Sequence, residues 1–153
     1  MDEVFVKING ELHYLWRAID HEGEVLECYV TKRRNKRGAL SFLKKVMRKH
    51  GTPKSIVTDK LRSYGAALKE IGCLGLQKTD QYLNNICESS HLPFRCKESS
   101  MQKFKKGVTL QFFTSIHFQI YNHFNHQRHL QNRENYKKLR NESLSEWRGL
   151  CAA

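Results

Sequence analysis

Paired cysteines, prolines and long apolar runs are all scarce in this chain, and each scarcity excludes something. The five cysteines are Cys28, Cys73, Cys87, Cys96 and Cys151, an odd number with no C-x-x-C spacing. That pattern argues for reduced thiols and against a zinc knuckle or a disulfide framework. Two prolines and no biased segment exclude a proline-rich linker or a collagen-like chain. No apolar run approaches the roughly 20 residues of a membrane helix. The N-terminus alternates like a strand, so it does not read as a secretory leader. Acidic residues are missing altogether from Thr31 to Lys54, and the 153 residues carry a formal net charge of +12. The rest of the excess gathers between Arg95 and Arg140. Concentrated positive charge favours a polyanionic partner, most often nucleic acid, over an idle solvated surface.

What is present has the length of one compact domain. "MDEVFVKI" alternates with period two, Asn9-Gly10 is a strong type I′ turn signal, and Leu12 to Ile19 returns as a second strand. After the turn at Asp20–Glu24, "VLECYVTKR" gives a third strand. The period then changes. Ala39, Leu40, Phe42, Leu43, Val46 and Met47 make one face of a helix whose other face is Lys44, Lys45, Arg48 and Lys49, with Gly51 and Pro53 as its stop. "SIVTD", Ser55 to Asp59, reads as a short buried strand and Ser63 to Gly72 as a second helix. A weak fifth strand is expected in "LGLQKTDQY". Helix is expected after Asn84, over Thr109 to Leu130 and, briefly, in "NESLSEWRGL". The order implies a single mixed α/β sheet covered by helices. If "SIVTD" lies beside the first strand, Asp2 and Asp59 approach each other.

Three carboxylates stand out: Asp2, Asp59 and Glu88. Asp59 ends a buried-type strand, and Glu88 lies in "NNICESSHLPFR". Clustered carboxylates repel and are costly to desolvate, so a fold tolerates them where divalent cations neutralise them. Hard cations such as Mg²⁺ prefer oxygen ligands, and two of them can clamp both oxygens of a phosphodiester displacement.

"MDEVFVKINGELHYLWRAID", "IVTDKLRSYG" and "NNICESSHLPFR" together resemble the three blocks of the DDE transposases of bacterial insertion sequences, in particular the small elements that move by replicative cointegrate formation. The resemblance extends to "NHFNHQRHL" and "SEWRGL". It implies an RNase H-like, retroviral-integrase-like core over residues 1–153, with C-terminal helices from about residue 108. It makes Asp2, Asp59 and Glu88 catalytic ligands of two Mg²⁺ ions, with Mn²⁺ as a substitute. It also implies DNA strand cleavage and strand transfer, a homodimer or larger transpososome on DNA, and a cytoplasmic, nucleoid-associated protein. Relatives place a basic residue seven positions after the Glu, and Arg95 stands there; seven residues are about two helical turns, so the two share a face. Val4 replaces a hydroxyl residue of the family, Ile86 and Cys87 differ from common choices, and Pro93 interrupts the expected helix. The family's N-terminal DNA-binding segment has no counterpart before Met1. The expectation is therefore a chain cut at the edge of the core. The alternative is a truncated, inactive remnant that only binds DNA or full-length transposase.

Lys32, Arg33, Arg34, Lys36 and Arg37, together with Lys60 and Arg95, are the candidates for DNA-backbone contact. Asp59 has a second reading, as a cap of the helix that follows. His117, His123, His126 and His129 read as a polar helix face rather than a zinc site, since no carboxylate or thiol is near in sequence. Tyr14, Trp16 and Tyr29 are expected in the sheet core, and Phe112, Phe113, Ile116, Ile120 and Phe124 in the helix core.

Overall fold

The computed structural model describes residues 1–59, 61–79, 94–97, 104–126 and 131–152. Three strands come first: β1 (Asp2–Ile8), β2 (Glu11–Ile19) and β3 (Val25–Thr31), antiparallel in the order β1-β2-β3. Asn9 at φ 50° and Gly10 at φ 84° supply the two left-handed residues a type I′ hairpin turn needs. The two-residue turn fixes the register from Ile8↔Glu11 up to Glu3↔Trp16 and Asp2↔Arg17. At the next turn, Asp20 Oδ1 accepts from the backbone N–H groups of Glu22 and Glu24, both at 2.9 Å.

Helix α1 (Lys36–His50) starts where Asn35 caps it, its side chain accepting from Gly38 N at 3.0 Å. The apolar period alone begins this helix three residues late, because the first turn is basic rather than apolar. Gly38 lies against the sheet. A Cβ there would sit 3.2 Å from Arg33 O and 3.3 Å from Trp16 Cζ2, so a larger residue would force its neighbours to give by a few tenths of an ångström.

Strand β4 (Ile56–Val57) pairs in parallel with β5 (Gln77–Lys78), on either side of α2 (Arg62–Ile71) and a 3₁₀ turn at Leu74–Leu76. The α2 helix ends in a Schellman motif: Gly72 is left-handed at φ 82°, and Cys73 N bonds Leu68 O at 2.9 Å. Ladder bonds make two sheets rather than one continuous sheet. The amino group of Met1, beside β1, donates to Val57 O of β4 at 2.6 Å.

The core under the helices joins Trp16 and Ala18 of β2 to Ala39, Phe42, Leu43 and Val46 of α1 and to Tyr64, Ala67 and Leu68 of α2. Trp16 stacks edge-on against Tyr64 at 5.4 Å and donates its indole N–H to Thr31 Oγ1 at 2.8 Å. This agrees with the expected core role of Trp16; Tyr14 and Tyr29 pack at its margin.

Helix α3 spans Gly107–Phe124 and α4 spans Arg133–Ala152. Two compact units result, Met1–Ser115 and Ile116–Ala153. In the first, Gln111 of α3 closes the free edge of β3: its Oε1 accepts from Val30 N at 2.8 Å and its Nε2 donates to Cys28 O at 3.1 Å. The expected core residues of α3 need correction. Phe112 is 68% exposed, and Ile116 and Ile120 are exposed too, whereas Leu110, Thr114 and Phe118 are buried. Aromatic content outweighed phase in that reading. The buried stripe follows the four-residue step that passes through a threonine. In the second unit, Ser143 accepts at its backbone oxygen from the His123 ring and exchanges a bond between its hydroxyl and the His126 ring, both at 2.9 Å. Trp147 packs on Phe124 at 5.8 Å. The α4 helix is twice as long as the expected terminal helix, because Asn132 caps its start by accepting from Asn135 N at 2.8 Å. Helix is present at residues 94–97.

Candidate functional site

The site begins with the first residues of the chain. The amino-group bond to Val57 O and the pairing of Asp2 with Arg17 tie down what would otherwise be a loose end. Asp2 is 7% exposed, and its Oδ2 lies 3.4 Å from Nη2 of Arg17, which is fully buried. A buried arginine is tolerated because a carboxylate faces it directly across the hairpin.

Asp59 arrives from β4. Thr58, just before it, is buried and its hydroxyl accepts from Gln77 Nε2 at 2.9 Å, which fixes the strand end. Asp59 Oδ1 then accepts from Leu61 N at 3.1 Å. That bond shapes the entry to α2, whose first residue has no side-chain cap of its own. The second oxygen, Oδ2, points towards Arg34 Nη2 at 3.7 Å.

Glu3 completes the group. One carboxylate oxygen each from Asp2, Glu3 and Asp59 lies within 4.8 Å of the other two. The Glu3 side chain is 2% exposed; its Oε1 is paired with Arg34, and its Oε2 has no hydrogen-bond partner among the described residues. Burial pushes the Glu3 carboxyl from 4.5 up to about 7, with the charge of Asp59 adding to the effect and Arg34 opposing it. Burial also raises Asp59; the Leu61 N–H and Arg34 pull it back, and the charge of Asp2 reinforces the rise. Three hard oxygen donors grouped in this way, one of them buried and without a hydrogen-bond partner among the described residues, suit a divalent cation.

The structure thus brings Asp2 and Asp59 together. Glu88 and Lys60 lie outside the described residues. Arg95, in the helical stretch 94–97, donates from Nη1 to Phe5 O at 2.8 Å, on the edge strand that carries Asp2. Lys32 and Arg33 are exposed on the turn between β3 and α1, and Lys36 and Arg37 on the first turn of α1, where Lys36 also pairs with Glu70 Oε2 at 2.6 Å. Arg34, exposed as well, reaches to the acidic group and over the Phe5 ring at 5.4 Å. Sequence reasoning missed Glu3 and Arg17. The two-residue turn was the available signal: it fixes the register, so it sets Asp2 opposite Arg17 and Glu3 opposite the core residue Trp16.

Comparisons with known proteins agree on the lineage. A family model described as a DDE domain, of the IS240 transposase type, matches residues 1–127. The transposase for the insertion sequence-like element IS431mec of Staphylococcus aureus is 34% identical over 107 residues, 67% of this chain and 48% of that protein. The S. aureus transposase for the insertion sequence element IS257 in transposon Tn4003 matches to the same extent. The chain spans about half the length of these curated relatives. Among solved structures, a chain of the simian T-cell lymphotropic virus intasome in complex with the PP2A regulatory subunit B56 gamma superposes with a TM-score of 0.61. It is 20% identical, and the match covers 86% of this chain and 50% of that one. The shared fold is the RNase H-like one.

Proposed function

The chain belongs to the DDE domain family of bacterial insertion-sequence transposases, and from that membership we propose that it cuts one DNA strand and joins the freed 3′ end to target DNA. The observation that carries this reading is the meeting of Asp2 and Asp59 at the ends of β1 and β4. Asp2, Asp59 and Glu88 are the proposed ligands of two Mg²⁺ ions, with Mn²⁺ able to replace them. Such ions, when bound, supply charge stabilisation to the attacking and leaving oxygens of a phosphodiester.

The chain's own residues do the rest. Arg17 holds Asp2 in place, and the Leu61 N–H orients Asp59. Arg95 is proposed to hold a DNA phosphate beside the acids, since a guanidinium matches phosphate oxygens in pairs. Lys32, Arg33, Lys36, Arg37 and Lys60 are proposed to follow the backbone farther out, where contacts position DNA without reading its sequence. Residues 1–153 are read as one catalytic core that works on DNA as a dimer or larger assembly, in the bacterial cytoplasm.

The test is a nicking assay with Mg²⁺ or Mn²⁺ on DNA that carries the element's terminal repeats. We expect metal-dependent single-strand cleavage and its loss in Asp59→Ala and in Asp2→Asn. Cleavage that survives Asp59→Ala unchanged would sink the mechanism.

A further inference from the structure

We infer that Arg34 is a positioning residue of the acidic site: a built-in cation, anchored on Glu3, that holds Asp59 when no divalent ion is present and yields it when one enters. This rests on the reading of Asp2 and Asp59 as ion ligands.

Each acid of the group already faces a guanidinium. Asp2 has Arg17; Glu3 and Asp59 share Arg34. The shared contacts are unequal. The Glu3 side chain is almost fully buried, whereas that of Asp59 is 32% exposed and its ion pair is the longer, at 3.7 Å. Stripping the partner from a buried charge costs far more than stripping it from a half-exposed one. Arg34 therefore stays with Glu3 and releases Asp59. The Phe5 ring beneath the guanidinium and the Asn35 cap immediately after it hold the arginine in that place.

Glu3 Oε2 supplies the independent sign that a cation belongs here. It is buried, has no hydrogen-bond partner among the described residues, and belongs to the carboxylate that shares the 4.8 Å group with Asp2 and Asp59. A divalent ion held by Asp2 and Asp59 would carry two positive charges against a single guanidinium contact at 3.7 Å, and so would take the place of Arg34 at Asp59.

The full chain is tested by thermal unfolding with and without Mn²⁺. For the parent we expect Mn²⁺ to raise Tm, and Asp59→Asn to abolish the rise. Arg34→Gln should lower the metal-free Tm by several degrees and enlarge the Mn²⁺-induced rise, so that the ion restores most of the loss. Arg34→Lys, which keeps the charge, should show a rise close to the parent's. The double variant Glu3→Gln/Arg34→Gln, with acid and cation both removed, should regain metal-free stability. It also serves if Arg34→Gln alone does not fold, since with no guanidinium at Asp59 its Mn²⁺-induced rise should still exceed the parent's. If Arg34→Gln loses stability and Mn²⁺ raises its Tm no more than the parent's, the arginine is only structural and the inference is overturned. A rise in the double variant no larger than the parent's would overturn it too. No Mn²⁺ effect in the parent would instead refute the ion-ligand reading on which the inference stands.

Discussion

Glu3 is not an ordinary surface acid: it stands opposite the core residue Trp16, and the other face of β1, with Val4 and Val6, is buried as well. Its raised pKa makes a pH signature. Below pH 4.5 both folded and unfolded chains keep the proton. Between 4.5 and about 7 the unfolded chain releases it first, so folded-state stability falls as pH rises; above about 7 the penalty is complete. The stability given up across that window is on the order of 3 kcal/mol. Glu3→Gln, studied metal-free by urea unfolding, should therefore gain on the parent between pH 5 and pH 8. Two parallel profiles would mean that Glu3 titrates like a solvated carboxylate.

At the scale of elements, the site depends on where strands and helices begin rather than on their middles. Asp2 opens β1, Asp59 follows β4, and Arg34 precedes the cap of α1. The Asn35 cap is the most local of these devices. Its removal in Asn35→Ala should cost about 1 kcal/mol in chemical denaturation. The same change frees the turn that carries Arg34, so the Mn²⁺-induced rise in Tm should grow, as in Arg34→Gln but less. An unchanged midpoint would show that the sheet contact of Gly38 alone seats the helix. The hairpin, α1 and the ends of β4 and α2 were legible in the sequence, because each has a local signal: a turn dipeptide, a period, a glycine stop. The phase of α3 was not. Its buried stripe includes Thr114, seated 3.4 Å from Cys28 Sγ, and its exposed stripe includes Phe112. Hydropathy alone ranks those two the wrong way round.

For the molecule as a whole, charge is the property that composition announced most clearly. The net charge of +12 gathers in part on the β3–α1 turn and the outer face of α1, where Lys44, Arg48 and Lys49 stand on the polar side. DNA binding through such a face should weaken steeply with salt. Replacing Lys32, Arg33 and Arg37 together by Gln should reduce affinity for duplexes of any sequence. It should also flatten the plot of log K against log salt by about 0.9 for each phosphate that is no longer neutralised. Binding titrations on two unrelated duplexes across a salt series test this. An effect confined to one duplex would point to base reading instead.

By itself the sequence determined the hairpin register, the order of elements, the basic turn and, of the acidic group Asp2, Glu3 and Asp59, the two aspartates. Those follow from local rules: period, turn chemistry and charge along the chain. Only the tertiary structure decided that Asp2 is buried against Arg17, that Glu3 joins the acidic group, and that Arg34, exposed like its neighbours, pairs with Glu3 and Asp59. Burial and ion pairing depend on groups far apart in the chain, Met1 beside Val57 and Arg34 between Glu3 and Asp59. Folding brings those partners together, and local rules carry no information about which distant group a charge will meet.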